Sequence, residues 1–243
     1  MEKIRYVPIV KTIPEYSKRD QTLYTCSVGL SLFPQVKPVR LYPLPIITMD
    51  IWGIYDVPVE RNKYDSRKES WKLLSESRKE GWDTSLLYKD VEYHGCVKNK
   101  QTIYNTLLDY LSPSISKLNK DLKSIGLLEL GKYELYWGDN KRYNKGLFED
   151  VEMIDIAYTK DSKEKECRIK FSDADGKHDL QYNSWDIYEY QRKFGANDSI
   201  FDERFVPTGY DYLLVGNMHN HRNTWIALKK INIYNLHQMA LFN

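Results

Sequence analysis

Runs of β-branched and aromatic residues alternate with short polar segments along the first sixty residues. The polar residues 14–20 predict a turn, and the apolar runs around them predict strands over residues 3–12, 22–32, 39–45 and 52–59. Prolines within Val39–Pro45 cannot donate ladder hydrogen bonds, so this strand is expected at a sheet edge or in a polyproline-like crossing.

A period close to that of an α-helix replaces this pattern from Asn99 onward. A first helix is predicted by the helical spacing of Ile103, Leu107, Leu108 and Leu111. Ser112 and Pro113 predict a stop and the start of a second helix, with the serine as N-cap, running toward Gly126.

The second half of the chain returns mostly to strand character. Strands are predicted over residues 127–137, 151–159 and 167–171, followed by a loop over residues 172–178. Ser184 is expected to cap a helix that runs to Phe194, and residues 198–205 predict a short helix. Two apolar runs around a polar segment predict a hairpin over residues 210–234.

Strands therefore predominate, helices interrupt them, and no regular βαβ alternation is present. This arrangement predicts the α+β class, as a single β-rich domain over residues 1–243. We expect mostly antiparallel sheet or a partly open barrel, with a few packed helices and a helical insertion at about residues 99–125.

The overall charge gives no reason to expect a polyanionic partner, because the net charge of the 243 residues is only +2. Apolar residues make up 42% and charged residues 29%, which is typical of a folded protein rather than a disordered one. Three widely spaced cysteines indicate neither a zinc framework nor a disulfide scaffold. No apolar run is long enough to span a bilayer, so a cytoplasmic location is expected.

Three polar segments could carry chemistry. At the hairpin tip, His219 could serve as a base or metal ligand and Arg222 could clamp a phosphate, although a solvated turn is the simpler interpretation. Asp173, Asp175 and His178 could chelate a divalent metal, the one cofactor that the sequence suggests, or could form an Asp/Gly turn.

The third segment is the turn that ends at Trp71. Arg67 and Lys68 could hold a phosphate while Trp71 stacks on a base. Alternatively, Arg67 pairs with Asp65 or Glu69 and Trp71 enters the core. A weaker nuclease hypothesis places Mg²⁺ ligands at Asp155 and Glu166, but the neighbouring Arg168 cannot act as a base.

Four short segments together resemble an uncharacterised family of prokaryotic proteins. They are Arg40-Leu-Tyr-Pro43, Asp65-Ser-Arg-Lys-Glu-Ser70, Ser184-Trp-Asp-Ile187 and Gly216-Asn-Met-His219, which correspond to family segments Arg-Leu-Tyr/Phe-Pro, Asp-x-Arg-x-Glu-Ser, Asp-Trp-Glu and Gly-Asn-x-His. Relatives carry cysteines in the loop before the helix, where this chain has Asp173, Asp175 and His178. The resemblance implies that the segments belong to one domain and suggests a role in defence or in a mobile element.

The favoured hypothesis is a nucleic-acid-associated accessory protein that contacts backbone phosphates and unstacked bases. Its expected contact residues are Arg40, Arg67, Lys68, Trp71, Asn217, Arg222 and Trp225. One alternative is a metal-dependent hydrolase of a nucleotide or phosphodiester, with His219 or His178 as base and Asp186 as an orienting carboxylate. The other is a non-enzymatic subunit that binds a protein partner.

Overall fold

The computed structural model describes residues 2–17, 22–45, 48–61, 65–74, 90–141, 143, 163–219 and 221–234. The chain forms two compact units. The first comprises Met1–Lys98, Asp139–Lys165 and Ser184–Lys193, and the second comprises Asn99–Gly138, Glu166–Asn183 and Phe194–Asn243. The single domain expected over residues 1–243 stays a prediction.

Strands dominate the described part of the chain, as predicted. The strands are β1 (Glu2–Lys11), β2 (Glu15–Ser17), β3 (Thr22–Phe33), β4 (Lys37–Pro45), β5 (Gly53–Arg61), β6 (Ser70–Leu73), β7 (Glu92–Cys96), β8 (Leu111–Ser112), β9 (Ile125–Glu129), β10 (Tyr133–Asp139), β11 (Lys165–Asp173), β12 (Gly176–Gln181), β13 (Asp211–Asn217) and β14 (Trp225–Asn232). The α-helices in the same ranges are α1 (Lys100–Leu107), α2 (Ile115–Lys120), α3 (Trp185–Phe194) and α4 (Ser199–Arg204), and a 3-10 helix, Leu108–Tyr110, directly follows α1.

Five strands of the first unit close into a barrel. β1 pairs antiparallel with β3 and β5, β3 pairs antiparallel with β4, and β5 pairs antiparallel with β6. A short parallel pairing of β4 with β6 completes the ring. The β-rich, mostly antiparallel fold is confirmed, and the barrel is closed rather than partly open.

Alternation along the barrel strands directs their apolar side chains inward. Tyr6 lies within this core, and its hydroxyl is 2.9 Å from that of Ser27. The buried core residues are Ile4, Tyr6, Tyr24, Val39, Leu41, Leu44, Met49, Tyr55, Val57, Val59, Trp71 and Leu73.

The position expected for Val39–Pro45 is wrong, because β4 is paired on both sides. Its parallel partner β6 meets it only at Arg40 and Leu41, which retain their backbone N–H groups. The Arg40 N–H donates to the Glu69 carbonyl at 2.8 Å. Because β6 pairs with only two residues of β4, the prolines on either side of them do not need to donate hydrogen bonds to it.

The second unit contains a four-stranded sheet in the order β14-β13-β9-β8 and a three-stranded sheet in the order β10-β11-β12. The predicted C-terminal hairpin is confirmed as β13 and β14, with Asn217 opposite Trp225. The two helices predicted after Asn99 are also confirmed. The N-cap of α2 is Ser114 instead of Ser112, since the Ser114 hydroxyl accepts the Lys117 N–H at 3.1 Å.

Several sequence predictions differ from the structure or fall outside it. The strand expected over residues 127–137 is divided into β9 and β10, and the loop expected over residues 172–178 contains a tight turn and the start of β12. The strand expected over residues 151–159, together with Asp155, lies outside the described residues. No helix in the described ranges is long and apolar enough to cross a membrane.

Candidate nucleic-acid interface

One end of the barrel brings together a set of cationic and aromatic side chains. The end of β3 lies beside the start of β4, where Ser31 pairs with Lys37, and the end of β5 lies beside the start of β6, where Arg61 pairs with Trp71. The parallel pairing of β4 with β6 places both pairs of strands at the same end. We define the rim cluster as Phe33, Lys37, Arg61, Lys68 and Trp71.

Trp71 anchors the rim cluster to the barrel core. Its side chain is packed in the core with only 3% of the residue exposed. The Arg61 guanidinium lies 3.6 Å from the centre of the indole ring and the Lys37 ammonium lies 5.7 Å from it. Both distances fall within the range of cation–π attraction. Arg61 also donates to the carbonyl of Lys68.

The rim cluster carries positive charge and an exposed ring. Within the described residues, no carboxylate forms an ion pair with Lys37, Arg61 or Lys68. Phe33 ends β3 and is 63% exposed. A cationic surface with an exposed aromatic ring suits both phosphates and unstacked bases.

A buried ion pair fixes the connection that leads into β6. The Asp65 carboxylate lies 2.6 Å from Nη2 of Arg67 and also accepts the Ser70 hydroxyl at 2.5 Å. Burial alone would raise the pKa of Asp65, but the hydrogen bonds from Arg67 and Ser70 outweigh it and hold that pKa well below its usual range. This network gives Lys68 a fixed backbone position.

The structure therefore favours the structural interpretation of Arg67 and Trp71 that the sequence left open. Arg67 is 6% exposed, and its guanidinium is paired with the Asp65 carboxylate. Arg40 is 5% exposed, and its burial lowers the pKa of its guanidinium. Among the four contact residues that the sequence predicted in the first unit, Lys68 is exposed, and the other three are buried.

At the hairpin tip of the second unit, too, some of the predicted site residues are buried and others are exposed. Asn217 and Trp225 are buried. The Asn217 amide donates to the Arg222 carbonyl at 3.1 Å, and the Trp225 indole N–H donates to the Asn119 side chain at 2.8 Å. His219 is exposed and Arg222 is partly exposed. Asn220, between them, lies outside the described residues.

The predicted metal ligands form a turn that caps a helix. Asp173 accepts the N–H groups of Asp175 at 2.9 Å, of Gly176 at 3.1 Å and of Ile115 at 2.8 Å, and Nε2 of His178 lies 2.8 Å from its carboxylate. Burial would raise the pKa of Asp173, but these contacts outweigh it and lower that pKa. Asp175 is instead bound to the Ser114 hydroxyl. Asp173 and His178 lie next to each other, Asp175 is directed to the helix, and metal binding by these residues stays a prediction.

Asp186 lies in the first turn of α3 and belongs to the first unit, unlike His178 and His219. Its carboxylate accepts the Ser184 hydroxyl and the Ile187 N–H, the latter at 3.0 Å. These contacts show that the Asp186 carboxylate stabilises the start of α3. Its predicted catalytic role stays a prediction.

Another group of possible metal ligands lies on the outside of the barrel. Ligand atoms of Asp56, Glu92 and His94 lie within 4.8 Å of one another. Arg5 engages both Asp56 oxygens, at 2.8 and 3.0 Å, and these bonds lower the pKa of Asp56 to about 2. Because Arg5 already supplies the positive charge, the group is accounted for as a surface ion-pair network.

Sequence reasoning missed Phe33, Lys37 and Arg61. Phe33 precedes a proline and ends an apolar strand, so it resembles a core residue, and the stacking of Arg61 on Trp71 depends on a pairing between β5 and β6. These three residues are brought together by the pairing of the barrel strands, and no local sequence motif indicates them.

Part of the chain matches a known family model. Residues 2–88 match the model of a family described as a domain of unknown function, DUF8758. No curated protein matches the chain. The matched segment contains all five strands of the barrel, so the barrel and its rim cluster are the part of this chain that is similar to that uncharacterised family.

Proposed function

We propose that this protein binds single-stranded nucleic acid through the rim cluster of its barrel. The observation that carries the proposal is that Lys37, Arg61 and Lys68, which form no ion pair within the described residues, lie at the same end of the barrel as the exposed Phe33 ring. The three cations would contact successive phosphates and Phe33 would stack on a base, which requires no particular sequence.

Barrel topology supports this choice of surface. In strand order, β5 lies beside β1, followed by β3 and β4, which is a Greek key, and β6 closes the ring. Five-stranded Greek-key barrels of the oligonucleotide-binding type bind through the face of strands two and three and through the loop between strands four and five. That loop corresponds here to the β5–β6 connection, which carries Lys68.

In this protein, the part of that face around Val28 and Arg40 is not exposed. Val28 and Arg40 pair across β3 and β4 and face away from the core, yet both are buried. The proposed interface is therefore confined to the rim cluster. A role in defence or in a mobile element stays a prediction, because only the family resemblance suggests it.

Binding of a labelled single-stranded oligonucleotide of about 16 nucleotides, measured by fluorescence anisotropy at low salt, tests the proposal. The variant Lys37→Ala/Arg61→Ala/Lys68→Ala should weaken binding about tenfold or more, because three phosphate contacts are lost. A control with the same change in charge is Lys98→Ala/Lys120→Ala/Lys123→Ala, whose exposed lysines lie outside the rim cluster.

A second pair of variants separates stacking from charge. Phe33→Ala should weaken binding about fivefold or more, in line with the loss of one stacked base. Phe194→Ala removes a ring of nearly equal exposure, 64% against 63%, and should leave binding unchanged. Undetectable binding of single strands by the native protein, or equal losses in the rim and control variants, would overturn the proposal.

A further inference from the structure

The turn between β3 and β4 carries exposed apolar side chains at the rim of the barrel. Residues 33–36, Phe-Pro-Gln-Val, lie between the paired residues Ser31 and Lys37, and all four are exposed. Phe33 is 63% exposed and Val36 is 45% exposed. Three of the four residues are apolar and none is charged, so the turn presents an uncharged, mostly apolar surface. We call residues 33–36 the β3–β4 tip.

Local contacts limit the conformational freedom of the β3–β4 tip. The hydroxyl of the buried Ser31 donates to the Phe33 carbonyl at 3.0 Å, and Phe33 pairs with Arg5 of β1. The φ angle of Pro34 is fixed by its ring, and the β-branched Val36 has few favourable rotamers. A tip that is already ordered loses little conformational entropy when its apolar side chains pack against a partner.

Cationic side chains lie beside the base of the β3–β4 tip. Lys37 directly follows the tip in the chain, and Arg61 and Lys68 belong to the same end of the barrel. An apolar tip next to cations suits a partner that offers an apolar surface next to negative charges. The end of a nucleic-acid duplex is such a partner, because its last base pair exposes flat rings between two strands of phosphates.

We propose that the β3–β4 tip is a wedge that recognises the junction between single-stranded and double-stranded nucleic acid. This inference rests on the proposed function and narrows its substrate class. The rim cations hold the phosphates of the single strand and Phe33 stacks on the first unpaired base, while Val36 packs against the last base pair of the duplex and unstacks it. That base pair is the easiest to unstack, since it has a stacked neighbour on one side only.

Fluorescence anisotropy with two probes that share the same single-stranded segment tests the wedge. One probe is the single strand alone, and in the other probe the strand continues into a duplex. The junction probe should bind about fivefold more tightly, in line with one additional stacking contact. 2-Aminopurine placed in the last base pair of the duplex should become brighter when the protein binds, because its fluorescence increases on unstacking.

A pair of valine variants separates the wedge from single-strand binding. Val36→Ser removes the apolar contact without changing the net charge, so it should reduce the preference for the junction below about twofold and leave the affinity for the single strand unchanged. It should also abolish the increase in 2-aminopurine fluorescence. Val206→Ser is the matched control, because Val206 is 54% exposed and lies outside the rim cluster, and it should change none of these quantities.

The possible outcomes distinguish the wedge from the proposed function. Equal affinities of the native protein for the two probes, constant 2-aminopurine fluorescence, or equal effects of the two valine variants would overturn the wedge and leave single-strand binding by the rim cluster standing. If neither probe binds, the proposed function fails and the wedge fails with it. Vesicles of phosphatidylcholine and phosphatidylserine test a membrane partner: if Val36→Ser abolishes vesicle binding and keeps the junction preference, the tip is a membrane contact and the wedge is wrong.

Discussion

Gly29 shows how closely two barrel strands approach. It pairs with Pro8 across β1 and β3, and a Cβ atom at this position would lie 2.0 Å from the backbone oxygen of Val7. A side chain at this position cannot fit unless the two strands separate.

We expect Gly29→Ala to lower the free energy of unfolding by about 1–3 kcal/mol, the usual cost of forced overpacking. Gly131→Ala is the matched control, because a Cβ there meets nothing within 4 Å. Urea unfolding of both variants would measure the difference. A Gly29→Ala protein within about 0.5 kcal/mol of the native value would contradict the close approach.

Individual side chains were the hardest level to predict from the sequence. The residue types of the turn at Asp65 left two alternatives open, phosphate binding or an internal ion pair, and the burial of Arg67 against Asp65 favours the second. A local motif does not state which side of a sheet its arginine will face. By contrast, the Asp/Gly composition of Asp173–Gly176 correctly suggested a tight turn as one of its two interpretations.

At the level of elements, a buried ion pair joins β13 to β14 and to the segment before them. Nζ of Lys230 lies 3.1 Å from the Asp211 carboxylate, and these side chains are 5% and 2% exposed. Lys230 also donates to the Val206 carbonyl at 2.9 Å, while Asp211 accepts the Thr208 N–H at 2.8 Å.

Removing the lysine would leave a buried carboxylate without its cation. We therefore expect Lys230→Met to lower the free energy of unfolding by about 3–5 kcal/mol. Lys229→Met, at the neighbouring and only partly buried position, should cost much less. Denaturant titration followed by tryptophan fluorescence would compare the two, and similar losses would show that the ion pair is not responsible.

Elements with a strong local signal were predictable and those set by distant partners were not. The β13–β14 hairpin, α1 and α3 follow from the periodicity and residue types of contiguous segments, although the hydroxyl of the expected α3 cap, Ser184, is bonded to the Asp186 carboxylate. The place of β4 depends instead on β6, whose two contacts with it leave the prolines undisturbed. Proline content alone therefore predicted a sheet edge or a polyproline-like crossing for β4, which is instead paired on both sides.

For the whole molecule, the low net charge of +2 makes any binding of nucleic acid a local effect. With three rim cations, a plot of log K against log salt concentration should have a slope of about −2. The rim triple variant should flatten this slope, whereas the control triple variant should keep it. A slope near zero for the native protein would mean that phosphate contacts do not drive its binding.

The β-rich class could be predicted from strand count and the lack of βαβ alternation, but closure of the barrel could not. Closure depends on β1 meeting β5 and on β4 meeting β6, and both pairings join segments that are separated by other strands. The residues of these segments contain no pattern that identifies their distant partner strands. The rim cluster exists only because these pairings form, so it was hidden for the same reason.

The late position of β6 has a consequence for synthesis of the protein. A nascent chain that stops at Arg61 would already contain four barrel strands, but β4 and β5 would each keep an open edge. Unprotected edges recruit strands from other chains. The short segment Ser70–Leu73 therefore acts as a seal, and premature stops before it should yield products that stick to one another rather than shortened monomers.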